Sequence, residues 1–126
     1  MDGEARPDTC EQRLLDSLVA DGTIAQPAFI KCDVEGAELL VFRGARTVLD
    51  RPDAPIVLFE VNVHTAEGFG VSILAARDFL AGLSQPRYRF LAVGHQGELV
   101  PVATSFRAGN VLAVPEAKAR AFPELE

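Results

Sequence analysis

The sequence predicts an α/β fold: a mixed sheet whose first strands are parallel and whose last are antiparallel, with helices on both faces. Three observations carry the expectation. Short β-branched or aromatic runs alternate with segments of helical period as far as Leu83. The run Pro55-Ile56-Val57-Leu58-Phe59 is unbroken in apolar character, as in strands covered on both faces within a parallel sheet. After Pro86, strand-like runs follow one another with no helix between them.

The elements follow in the order α-β-α-β-α-β-β-β with a short tail helix. Residues 1–8 are polar and carry Pro7, so they read as a loose lead-in to a domain over 9–126. Thr9 and Gln12 have capping-box spacing, and Leu14, Leu15, Leu18 and Val19 repeat at helical intervals until Asp21-Gly22. Ala28 to Val34, bounded by Pro27 and Gly36, predicts a strand. From Gly36 the period changes. Ala37, Leu40, Val41, Gly44, Ala45, Val48 and Leu49 form one helical stripe, with Glu38, Arg43 and Arg46 outside it. That helix should stop before Arg51-Pro52, because the residue preceding proline avoids the helical region. A second strand follows at Pro55 to Phe59, and a third helix from about Ser72 to Leu83 is marked by Ile73, Ala76, Leu80 and Leu83. Tyr88 to Val93 and Glu98 to Val102 flank Gly94-His95-Gln96-Gly97 as a hairpin or bend. Asn110 to Val114 is the last strand, and Pro115 precedes the tail helix.

Length and charge narrow the function. A chain of 126 residues is the size of one domain, and 48% apolar with 24% charged residues excludes both disorder and a disulfide scaffold. Lys and Arg number 12 against 18 Asp and Glu, a net charge of −6, with no basic cluster. Such a chain repels phosphate backbones and anionic lipid, so neither nucleic acid nor a membrane surface is an expected partner. No apolar run approaches the ~20 residues of a membrane span, and the polar start Met1 to Arg6 lacks the core of a signal peptide. The expected location is the cytoplasm. Cys10 and Cys32 lack metal-type spacing, and Cys32 reads as a reduced, buried thiol.

Chemistry is expected where strand alternation leaves polar stripes. Ile30, Cys32 and Val34 should point one way and Lys31, Asp33 and Glu35 the other. In the next strand Phe59, Val61 and Val63 share a face, leaving Glu60, Asn62 and His64 opposite, at or past the strand's carboxyl end. Neighbouring strands lie about 4.8 Å apart, and open α/β sheets bind ligands beyond the carboxyl ends of their strands. Structural roles compete with functional ones. Asp33 or Glu35 could cap the helix beginning near Gly36. Glu60 could pair with Lys31 across the strands, and His64 could be a solvated loop residue. Asp33 lies deeper in the strand, where an unpaired carboxylate costs roughly several kcal/mol, and Lys31 is a candidate partner. Together these groups suit a general base toward a hydroxyl or oxygen ligands for a hard cation, although their spacing fits no metal motif. Gly36 has no G-x-G-x-x-G or P-loop around it, which removes nucleotide binding of that type, and Gly44 reads as permitting close helix-to-sheet packing.

The run Phe29-Ile30-Lys31-Cys32-Asp33-Val34-Glu35-Gly36-Ala37-Glu38-Leu39, followed by Phe42-Arg43-Gly44-Ala45, resembles the I-K-x-D-V-E-G-x-E-x-x-V-L-x-G-A signature of the FkbM-type methyltransferases. Leu15-Asp16-Ser17-Leu18 resembles the family's L-D-S-L segment, Leu58 to Asn62 its L-F-E-V-N strand, and Asn110 to Pro115 its N-x-x-A-V-P strand. Phe42 and Cys32 replace the usual aliphatic residues, a change that a core tolerates. The resemblance runs from about Thr9 to Pro115 and implies the carboxyl half of a Rossmann-like, class I methyltransferase fold: its fourth and fifth strands, their helices and two closing strands. The family's glycine-rich turn, which holds the methionine part of S-adenosylmethionine, and its acidic ribose contact have no counterpart in this sequence.

By resemblance the activity is methyl transfer from S-adenosylmethionine to a hydroxyl of a sugar or natural product. Asp33, Glu35 and His64 are then the candidate catalytic residues, Asp33 and Glu35 also facing the cofactor, and Glu60, Asn62 and Lys31 the candidate acceptor-binding residues. A chain carrying only this half is expected to bind the cofactor poorly alone. The competing reading is a non-catalytic module that pairs with itself or with a complementary half-domain through an open sheet edge.

Overall fold

The computed structural model describes residues 12–34, 36–62, 74–102 and 108–125, with Asn62 described by its backbone alone. The chain runs α1 (Leu15–Ala20), β1 (Phe29–Cys32), α2 (Glu38–Arg43), α3 (Arg46–Leu49), β2 (Ile56–Asn62), α4 (Ala75–Ala81), β3 (Arg89–Val93), β4 (Leu99–Pro101) and β5 (Ala108–Val114). Two 3₁₀ turns follow, Glu116–Ala121 and Pro123–Leu125. The sheet order is β1-β2-β5-β3-β4. β1 and β2 are parallel, with Cys32 opposite Phe59, and β5 is inserted antiparallel between β2 and β3. β3 and β4 form the expected hairpin. Its turn closes with the Gly97 amide donating to the Gly94 carbonyl at 3.0 Å, and Gly97 takes the left-handed φ of 83° that favours glycine.

Alternation along the strands separates two apolar layers. Cys32, Val57, Phe59, Val61, Val111 and Ala113 face the α-helices, where Phe42, Leu49 and Leu80 meet them. Phe42 packs edge-on against Phe59, with ring centroids 5.5 Å apart. On the other side Leu91, Leu112 and Val114 are covered by Ala119, Phe122 and Leu125. Both faces are therefore covered by helical segments, α on one and 3₁₀ on the other. The tail is 3₁₀ where an α-helix was expected: Lys118 N donates back to the Pro115 carbonyl and Phe122 N to the Ala119 carbonyl, three residues in each case, and Pro123 prevents continuation. The buried Tyr88 hydroxyl donates to the Pro55 carbonyl at 2.6 Å and ties the start of β3 to the start of β2 across the end of β5.

The helix expected from Gly36 to Leu49 is two helices, and an exchange of partners explains the break. In a continuous helix Val48 N–H would donate to the Gly44 carbonyl. That carbonyl instead accepts the Asp16 amide at 3.0 Å, while the Asp16 carboxylate accepts Thr47 N–H at 2.9 Å and Val48 N–H at 2.8 Å. Asp16 of α1 thus caps α3 from a distant point in the chain. Gly44 permits close approach, but of Leu14 rather than of the sheet: a Cβ there would lie 2.8 Å from Leu14 Cδ2. The expected capping box also gives way. α1 begins at Leu15 after an extended Leu14 with no side-chain cap, so Gln12 precedes the helix, and Thr9 lies outside the described residues. Among the described residues no helix is long and apolar enough to cross a membrane.

Candidate functional site

β1 ends at Cys32, two residues earlier than alternation suggests. Beyond it the backbone turns through Gly36, whose φ of 99° a side-chain-bearing residue rarely adopts. The Glu38 carboxylate, in the first turn of α2, accepts the Gly36 amide at 3.0 Å on one oxygen and the Val34 amide at 3.3 Å on the other. Those bonds hold the chain away from the sheet. Val34, expected in the core beside Ile30 and Cys32, is accordingly 40% exposed. Glu38, set outside the apolar stripe by the periodicity, is only 5% exposed. Burial pushes the Cys32 thiol up to about 11, with the negative charges of Glu38 and Asp33 adding to the effect.

The structure gathers part of the expected constellation at one end of the sheet. Asp33 is exposed just past β1, Lys31 is exposed within β1 opposite Leu58, and Glu60 is half-buried in β2 opposite Asn110 of β5. Alternation puts Lys31 and Glu60 on one face, and Asn110, paired across from Glu60, shares it. Glu60 and Asn62 lie within β2, which continues beyond the expected Phe59 to Asn62. Glu35, Val63 and His64 lie outside the described residues, and Asn62 is known here only as the backbone partner of Ala108. The expected ion pairs do not form. Among the described residues none joins Lys31 to Asp33 or to Glu60. Asp33 is solvated, so the burial cost that called for a partner does not arise. The turn is capped by Glu38 rather than by Asp33.

Sequence reasoning missed three residues: Glu38, Asn110 and Asp16. An acid in the first turn of a helix, directly after a glycine turn, is favoured by the helix dipole and can reach back to the preceding amides, which is the signal that could have found Glu38. Asn110 was visible only as the start of a strand. Among the described residues no group of three or more His, Cys, Asp or Glu side chains is placed to share a metal ion.

The described residues do not fit S-adenosylmethionine as a complete site. The amides of Val34 and Gly36 are taken by Glu38 and that of Ala37 by the Val34 carbonyl, so this turn offers none of those donors to a ligand carboxylate. An open cleft of ≈ 730 Å³ lies between α1 and α2, lined by Leu14, Leu15, Leu18, Leu40, Val41 and their neighbours, and includes none of the strand-end residues.

The mixed sheet, its inserted antiparallel strand and the polar strand ends define a Rossmann-like α/β domain of the methyltransferase kind. Residues 3–95 match the family model for the methyltransferase FkbM domain, more than half of the chain, and the chain belongs to that family. No curated protein and no solved structure matches it.

Proposed function

We propose that this chain forms the acceptor side of an S-adenosylmethionine-dependent O-methyltransferase, acting in the cytoplasm on a hydroxyl of a sugar or another natural product. Membership of the family supports the methyltransferase class. The observation that supports the acceptor-side reading is the solvated Asp33 carboxylate just past β1, with Glu60 and Asn110 paired between β2 and β5 towards the same end of the sheet, where open α/β folds receive ligands. In this reading Asp33 orients the acceptor hydroxyl and takes its proton, with Glu35 and His64 as further candidates, while Lys31, Glu60 and Asn62 contact the rest of the acceptor. A complementary element with a glycine-rich turn completes the cofactor pocket, because the amides of the Gly36 turn are already used. Titration calorimetry of the isolated chain with S-adenosylmethionine should give weak binding, and tight stoichiometric binding would overturn this placement. In the assembled protein Asp33→Ala should lower methyl transfer by roughly 10²–10⁴-fold while the fold survives. Full activity in that variant removes Asp33 from the mechanism.

A non-catalytic interaction module is the second reading, and a different observation favours it. Leu14 and Leu40 are each 59% exposed, at the start of α1 and on α2, and Phe29 is 52% exposed on the opposite face of β1, which pairs among the described strands only with β2. An open edge beside exposed apolar side chains suits pairing with a second copy or a complementary half-domain. Sedimentation over a range of concentrations separates the readings: a species monomeric throughout counts against the module.

A further inference from the structure

Glu38 is a buried carboxylate that the proposed chemistry does not use. Its two oxygens are engaged with two amides on either side of one turn, Val34 at 3.3 Å and Gly36 at 3.0 Å, and Asp33 is the residue immediately before that turn. Gly36 at φ 99° supplies the bend, and the two bonds select one geometry for it. A fully ionised carboxylate accepts both amides, and no neutral side chain of the same length does so, because a glutamine has one accepting oxygen and a donating amino group.

We infer that Glu38 is the positioning residue of the strand-end turn: its carboxylate clamps the Val34 and Gly36 amides and so fixes where Asp33 stands relative to the acceptor. Glu38 itself touches no acceptor atom, and its catalytic consequence rests on the acceptor-side reading above. The clamp costs the site nothing in exposure, because Glu38 is buried while Asp33 is, among the described residues, the solvated carboxylate at the end of β1.

The test compares the full-length chain with Glu38→Gln by amide-resolved NMR, and adds an activity arm in the assembled protein. In the unaltered chain the Val34 and Gly36 amide protons should both be protected from exchange, and Glu38→Gln should move both amide resonances. Val34 exchange should accelerate roughly tenfold in the variant, while Gly36, which can still donate to the glutamine carbonyl, changes less. In turnover with S-adenosylmethionine the variant should lose kcat, roughly tenfold, with KM for the cofactor little changed. Amide resonances unmoved by Glu38→Gln, or a Val34 exchange rate unchanged in that variant, overturn the clamp whatever the activity. Wild-type kcat in Glu38→Gln alongside an inactive Asp33→Ala overturns the positioning role while sparing the acceptor-side reading. If the amide results hold but Asp33→Ala keeps full activity, the acceptor-side reading falls and the clamp stands.

Discussion

Two carboxylates five positions apart meet opposite fates at the end of β1. Asp33 stays in water, whereas Glu38 is withdrawn from it and satisfied by backbone amides. Cys32 records both charges through its raised thiol pKa of about 11. A thiol held that high is a poor nucleophile near neutral pH, so alkylation of the Cys32 peptide by iodoacetamide at pH 8, followed by mass spectrometry, should be slow in the folded chain and fast in urea. Asp33→Asn removes one nearby negative charge and should move the thiol downward, quickening that alkylation while the fold persists. Gly36 is the other sensitive position. Gly36→Ala forces a Cβ into left-handed backbone and should cost about 1–2 kcal/mol in urea unfolding, beyond the loss of any function.

Between α1 and α3 the decisive contact is the Asp16 cap. Removing it in Asp16→Ala strands Thr47 N–H and Val48 N–H and should lower stability by about 1–2 kcal/mol, read as a fall in the urea midpoint at unchanged slope. Gly44→Ala should be milder, because the atom its Cβ meets is the tip of the exposed Leu14, which can swing aside. The same contact explains how far the sequence could be read. Periodicity found the carboxyl part of the stripe, since Gly44, Ala45, Val48 and Leu49 are buried, but it misjudged α2, where Leu40 and Val41 are exposed and Phe42, outside the stripe, is buried; a break made by a partner some thirty residues away leaves no trace in a local pattern. Strand alternation placed Lys31 outward and Cys32 inward, yet missed the end of β1, where a side chain from the following helix takes the amides that would have extended it. The candidate site was legible to a similar degree. The register puts Lys31 and Glu60 on one face, as alternation predicts, while Asn110 arrives through antiparallel insertion of a distant strand, a matter of topology that composition does not encode.

Acid should loosen the whole molecule over a definite range. Thr23 and Arg13 hold the exposed Asp21 carboxyl down at about 2, Arg51 lowers Asp53, and backbone amides lower Glu98. Carboxyls that ionise more readily in the folded chain contribute stability that is complete above about pH 4 and fades as pH falls towards about 2. Thermal unfolding followed across that interval should show a falling midpoint, with 1 M salt blunting the part due to exposed pairs. The tie between the starts of β2 and β3 across β5 has an optical consequence as well. The chain has one tyrosine and no tryptophan, and that phenol is the buried one bonded to the Pro55 carbonyl, its ionisation driven above the ordinary range by burial. Every photon of intrinsic tyrosine emission therefore originates at a single tie across the end of β5. Alkaline titration watched at 295 nm would stay silent until that tie breaks, which makes the absorbance of one ring a clock for the opening of this end of the sheet.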